Sequence, residues 1–150
     1  MPKHAMKICF LHLVWSTKER FPFFQSEQNQ VQCLRIIKKI CKQKEIYVKI
    51  GFVNPVHIHL LVDLPVNINI ETMMQFLKGV SSHKINEQEI FNAKFAWARG
   101  YGAFSVSSTQ VRNVIKYIKN QKEHHKKMSF ATEWRLLQKK YRKTVKTVMD

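Results

Sequence analysis

At 150 residues and 17.8 kDa, with 45% hydrophobic residues, the chain has the length and apolar content of one folded domain and is not a disordered segment. Its 26 Lys and Arg against 10 Asp and Glu leave a formal net charge of +16, more than solubility requires, which points to a polyanionic partner: nucleic acid first, an anionic membrane surface second. No run approaches the ~18–20 apolar residues of a membrane-spanning helix, and the basic N-terminus lacks the apolar stretch and cleavage site of a secretory signal, so a cytoplasmic location is expected.

From the N-terminus, Lys7 to Trp15 is dense in β-formers without Gly or Pro, which suits a central strand. A loop with Phe21-Pro22-Phe23-Phe24 follows. From about Gln28 to Gln43, Val31, Leu34, Ile36, Ile37, Ile40 and Cys41 fall at helical spacing among lysines, an amphipathic helix. Ile46–Val53 and Val56–Asp63 read as strands joined by the turn pair Asn54-Pro55, a β-hairpin. Within the second strand, His57 and His59 alternate with Val56, Ile58, Leu60 and Val62, so one face reads as core and the other as a site. Two imidazoles side by side are a common start for a divalent-metal site, because neutral histidine is the usual nitrogen ligand.

Asn69 is placed to cap a second helix carrying Ile70, Met73, Met74, Leu77 and Val80. Phe95–Trp97 and Ala103–Val106 suggest short strands around Arg99-Gly100-Tyr101-Gly102, where the glycines mark a bulge or tight bend. Thr109 is then the cap expected for a third helix to about Lys126, and Ser129 for a last one to about Lys140. On the third helix Val111, Val114, Ile115 and Ile118 form the core stripe. Tyr117 and Gln121, four apart, share a flanking polar face with Asn113 and His124. With no repeat or linker, residues 1–150 are expected to form one domain, with 129–150 as a basic helix or an arm. The order of elements fits an α+β fold, a ferredoxin-like or RRM-like antiparallel sheet with helices packed on it. Cys9, Cys33 and Cys41, odd in number and without C-x-x-C spacing, read as buried free thiols.

Five stretches together, His12–Arg20, Val56–Val62, Leu77–Ser82, Trp97–Ser107 and Tyr117–His125, make the chain resemble the single-tyrosine HUH transposases of small bacterial insertion sequences, including the REP-associated tyrosine transposases. The matching stretches span roughly residues 7 to 127 in the family's order. The resemblance implies that His57 and His59 are the HUH histidines, Tyr117 the nucleophile and Gln121 the third metal ligand, with His124 or His125 as substitutes in reach. It also implies cleavage of single-stranded DNA near hairpins through a 5′-phosphotyrosine intermediate, rejoining by the reverse step, and a homodimer in which Tyr117 serves either its own or the partner's histidines.

Tyrosine's unperturbed pKa of about 10 makes it a poor nucleophile at neutral pH, and a divalent ion on neutral ligands would keep its charge for the scissile phosphate. Mg2+ or Mn2+ is expected, with Mn2+ tolerating imidazole better. Lys18, Arg20, Lys78, Lys84, Arg99, Lys116 and Lys119 are expected phosphate contacts and Tyr101 a stacking platform. The competing reading is a non-catalytic single-stranded nucleic-acid binder on the same fold, which would be indifferent to chelators and to loss of His57.

Overall fold

The structure is a computed structural model; it describes residues 6–149, with side chains to residue 142. Four strands, β1 (Phe10–Ser16), β2 (Tyr47–Val53), β3 (His57–Asp63) and β4 (Gly102–Val106), form one antiparallel sheet in the order β2-β3-β1-β4. With α1 (Glu27–Gln43) after β1 and α2 (Ile70–Glu87) after β3, this is the ferredoxin-like arrangement expected from the element order.

Local chemistry starts and orients these elements. Ser26 Oγ accepts the Asn29 amide (3.1 Å) at the start of α1, and Asn69 Oδ1 accepts the Thr72 amide (2.8 Å) at the start of α2, as expected for Asn69. Each helix then lays an apolar stripe on one face of the sheet: Cys33, Ile36, Ile37 and Ile40 from α1, Met73, Met74 and Leu77 from α2. They meet Leu11, Leu13 and Trp15 of β1 and Ile58, Leu60 and Val62 of β3. Val31, expected in the α1 stripe, is instead 56% exposed. Cys33 and Cys41 are buried free thiols, whereas Cys9 is half-buried; burial pushes the Cys41 thiol up to about 12.

The opposite face is covered by the C-terminal third of the chain, which departs from expectation in its breaks. Thr109 caps nothing: residues Ser108–Gln110 form a short 3-10 turn, and α3 (Val111–Lys119) begins after it without a side-chain cap. The helix does not run through to Lys126. It ends at Asn120 and restarts as α4 (Gln121–Lys127), so Tyr117 and Gln121 lie on either side of a break. Ser129 Oγ accepts the Thr132 amide (3.3 Å) ahead of α5 (Phe130–Met149), which is longer than expected and packs through Phe130, Trp134, Leu137 and Tyr141 rather than standing off as an arm. Phe95–Trp97 is no strand; it contributes a single bridge, Thr17 to Trp97. Gly102 has a different role from a bend: a Cβ there would lie 2.8 Å from Trp134 and Phe104 ring atoms, so its bareness lets α5 sit close to the sheet. Among the described residues, no helix is long and apolar enough to cross a membrane.

Candidate active site

The site lies under α3, α4 and α5, on the sheet face away from α1 and α2. The strand alternation puts His57 and His59 on this face, and both are fully buried. Val14 pairs with His59 and Ser16 with His57, which leaves His12, paired with Leu61, diagonal to His59 on the same face. His12 Nε2 stands 2.8 Å from His59 Nδ1, with the two rings stacked at 5.0 Å. His59 is thereby held with Nε2 aimed away from the sheet.

Nε2 of both strand histidines converges on a residue that no motif or spacing singles out. Glu133 of α5, 1% exposed, places Oε1 3.0 Å from His57 Nε2, 3.0 Å from His59 Nε2 and 3.1 Å from His125 Nε2. Its other oxygen accepts the Tyr117 hydroxyl and the Gln121 amide (3.0 Å). One carboxylate therefore gathers the histidine pair, the tyrosine and the glutamine that the spacing of the motifs had paired, and adds His125. Gln121 is completely buried: its Oε1 accepts from Asn54 Nδ2 at 3.1 Å while its nitrogen faces Glu133. Ligation through the Gln121 oxygen requires that amide to turn over, together with Asn54. Asn54 Nδ2 also stands 3.1 Å from His57 Nε2, so the turn residue of the hairpin doubles as a wall of the site.

The electrostatics follow from burial. Burial pushes His57 down to about 4 and His12 down to about 3, and it lowers His59; for His57 and His59 the Glu133 hydrogen bond only partly opposes this. The imidazoles are thus neutral donors and potential ligands. Burial alone would raise the Glu133 carboxyl, but hydrogen bonds from His125, His57 and His59 outweigh it and hold the group ionised. Burial and, second, the adjacent Glu133 carboxylate raise Tyr117 above the ordinary phenol range, so the hydroxyl keeps its proton in this arrangement. His57 Nδ1 is buried without a partner, its ring stacked on Phe130 at 4.2 Å.

The donor chemistry fits a divalent ion: His57, His125 and Glu133 offer ligand atoms all within 4.8 Å of one another. Donors at right angles on bonds of about 2.0–2.2 Å stand ~3 Å apart, which is the spacing of Glu133 Oε1 from the three imidazole nitrogens.

Residues 5–121 match the family model described as "Transposase IS200 like". The chain belongs to the IS200-like transposase family. Within it, the chain is 30% identical over 129 residues to the transposases for insertion sequence element IS200 of Salmonella typhimurium and of Salmonella typhi, covering 82% of this chain and 83% of each relative. Its fold is similar to that of a protein from Deinococcus radiodurans R1 assigned as a transposase (TM-score 0.64, 22% identity, 81% of this chain and 96% of that one). It is also similar to a REP-associated tyrosine transposase bound to a REP hairpin (TM-score 0.61, 16% identity, 83% and 74%). The family supports a transposase role, with DNA cleavage and rejoining as its general chemistry.

For this transposase, the basic residues expected to meet DNA divide by position. Lys18, Arg20, Arg99, Lys116 and Lys119 are exposed, and Tyr101 is 38% exposed. Lys84 is exposed but pairs with Glu87 at 3.6 Å. Lys78 is only half-buried and donates to the carbonyls of Ala98 (2.8 Å) and Gly100 (2.9 Å), so it ties down the loop that carries Arg99 and Tyr101. Of the residues the sequence reading missed, His12 lies in a stretch matched to the family, and only the sheet register assigns it to His59. Glu133 carried no signal at all: it is one acidic residue in a lysine-rich segment.

Proposed function

We propose that this transposase is a metal-dependent, tyrosine-nucleophile enzyme that nicks single-stranded DNA beside hairpins and rejoins the strands. The observation that supports this reading is the convergence of His57, His59, Tyr117 and Gln121, from three separate elements, on the one buried carboxylate of Glu133. His57, His59 and Gln121 would hold Mg2+ or Mn2+, and His125 and Glu133 bring two further donors within reach. When bound, the ion supplies positive charge to polarise the scissile phosphate and offset the charge building on its oxygens.

The chain's own groups do the rest. His12 holds His59 in one tautomer through the 2.8 Å bond. Apolar Phe130 and Ile118 keep bulk water from the site. Tyr117 attacks the scissile phosphorus through its hydroxyl oxygen, the bond to the 3′-oxygen breaks, and the DNA is left with a free 3′-hydroxyl and a 5′-phosphotyrosine link. In reverse, a 3′-hydroxyl attacks that link and frees Tyr117. Glu133 holds the hydroxyl in place and keeps its proton until the site is rearranged by DNA. Phosphate oxygens and the Glu133 carboxylate are both anionic and seek the same donors, so the carboxylate yields part of its contacts as the substrate enters. Tyr117 lies beside His59 of its own chain, with ring centroids 5.6 Å apart, so each copy of the proposed homodimer carries a complete set of groups. The setting is the bacterial cytoplasm, on the nucleoid when DNA is bound, and residues 1–150 act as one domain.

Incubating the protein with labelled hairpin-bearing single-stranded DNA and Mn2+ should give a covalent protein–DNA adduct on a denaturing gel. An adduct that forms with Tyr117→Phe, or none with the native chain, rejects the reading. Binding that ignores chelators and is unchanged by His57→Ala, with no adduct, establishes the non-catalytic binder instead.

A further inference from the structure

A cleft of about 290 Å3 opens next to the active site, between the end of β1, the 3-10 turn that follows it (Lys18–Arg20), the 98–101 loop and the start of α5. We infer that this cleft takes one unpaired nucleotide of the single-stranded substrate, next to the phosphate held at the histidines. The inference rests on the reading of the chain as a single-strand-cutting enzyme.

Its lining has the chemistry for that ligand. Tyr101 and Trp134 offer aromatic faces, Arg20 and Arg99 two guanidiniums, and Glu19 an acceptor for exocyclic amino groups. Aromatic surface combined with guanidinium is the usual composition of a site for an unstacked base. The volume equals that of roughly ten water molecules, matching a base with its sugar rather than a groove for a helix.

The cleft is also built in advance. Thr17 N donates to Val56 O at 2.8 Å, Lys18 N to Ala96 O at 3.0 Å, and Ala98 N to Ser16 O at 2.8 Å, which fasten the turn and the loop to the sheet and to each other. Lys78 clamps the loop through the carbonyls of Ala98 and Gly100, and Gly100 takes the left-handed conformation (φ 81°) that a side chain would resist. Glu19 and Arg20 are consecutive non-glycine residues with φ of 56° and 55°, a conformation uncommon enough at one position to mark a constrained site. It presents both side chains at the cleft rim.

Phe130 joins the cleft to the chemistry. Its ring stacks on His57 at 4.2 Å on one side, while Phe130 also lines the cleft and lies under the Arg20 guanidinium at 5.5 Å. The cleft and the histidine pair therefore share the Phe130 ring as a common wall.

The test uses full-length Tyr117→Phe protein in chelator, so that only binding is read. Fluorescence anisotropy is measured on a DNA hairpin with unpaired thymidine flanks, and on a series in which an abasic site replaces each flank nucleotide in turn. One position should stand out, with affinity reduced about 5- to 150-fold, the value of ~1–3 kcal/mol per stacked base. Adding Tyr101→Ala and Arg99→Ala, both at exposed positions, should weaken binding of the intact strand by a similar factor and make the abasic change at that position cost nothing more. A flat abasic profile with binding intact, or a penalty that survives in the variant, overturns the cleft inference alone. Failure of the protein to bind the strand at all overturns it together with the function on which it rests.

Discussion

The two faces of the sheet use the same two central strands, β1 and β3, for opposite purposes. Toward α1 and α2, β1 and β3 present Leu11, Leu13, Trp15, Ile58, Leu60 and Val62, and the cluster is apolar throughout. Toward α3, α4 and α5, the alternate positions of the same strands present His12, His57 and His59 among Val14 and Leu61, and every one of these is buried as well. Burial is equal; what differs is whether the buried atoms need partners. The first face is chiefly filled volume, with few polar atoms such as the Trp97 indole N–H, which donates to Ser81 Oγ at 2.9 Å. The second must satisfy imidazoles, a phenol, two amides and a carboxylate, and it does so with one residue, Glu133, that gathers five of them. The apolar face thus supplies rigidity, and the polar face holds a set of groups that would rather bind something else.

That contrast can be broken most completely at Tyr117. Tyr117→Phe should reduce adduct formation below detection while leaving the melting temperature within a few degrees, since the ring is kept and only the bond to Glu133 is lost; circular dichroism melting beside the adduct gel checks both. On the opposite face the outcome should invert. Leu60→Ala, at a position with no exposure, should cost about 2–5 kcal/mol in denaturant unfolding, with the metal affinity of the folded protein unchanged. Metal affinity that fell in step with stability would show that the two faces are not separable.

Glu133→Gln keeps the shape of the side chain and removes its charge. Divalent-ion binding by isothermal titration should weaken by about 10- to 100-fold, the range seen when a metal site loses a supporting carboxylate. Tighter binding in the variant would show instead that the carboxylate competes with the ion.

In chelator, stability should fall as the pH drops below about 6.5 toward 4. The unfolded chain takes up protons at the ordinary histidine pKa, whereas folded His57 and His12 stay neutral until about 4 and about 3, so protons favour the unfolded state throughout that window. Chemical unfolding across that range measures it. His57→Phe, which keeps a ring against Phe130 but cannot titrate, should flatten the slope.

The smallest effect is expected at the surface. Lys116→Ala with Lys119→Ala, both exposed, should lower the slope of log affinity for single-stranded DNA against log salt by up to about 1.4, ~0.7 per phosphate contact, with little loss of cleavage once DNA is saturating.

What the sequence by itself determined follows from short-range rules. Period-two alternation put His57 and His59 on one side of a strand, hydrophobic stripes and the Asn69 cap located α1 and α2, and the order of elements was enough for the ferredoxin-like sheet. The spacing from Tyr117 to Gln121 was legible too, though not the break at Asn120 between them, because Asn120 and its neighbours fit a helix as well as its end. Only tertiary structure decided the rest. His12 joins the site because antiparallel register sets it diagonal to His59, and register is a property of two strands together. Arg20, far along the chain from Arg99 and Tyr101, shares one cleft with them because Lys78 and backbone bonds to the end of β1 hold two loops side by side. Glu133 becomes the centre of the site because α5 folds back over the sheet, where Gly102 leaves room for Trp134; nothing in the residues around it marks a carboxylate whose partners all come from other elements.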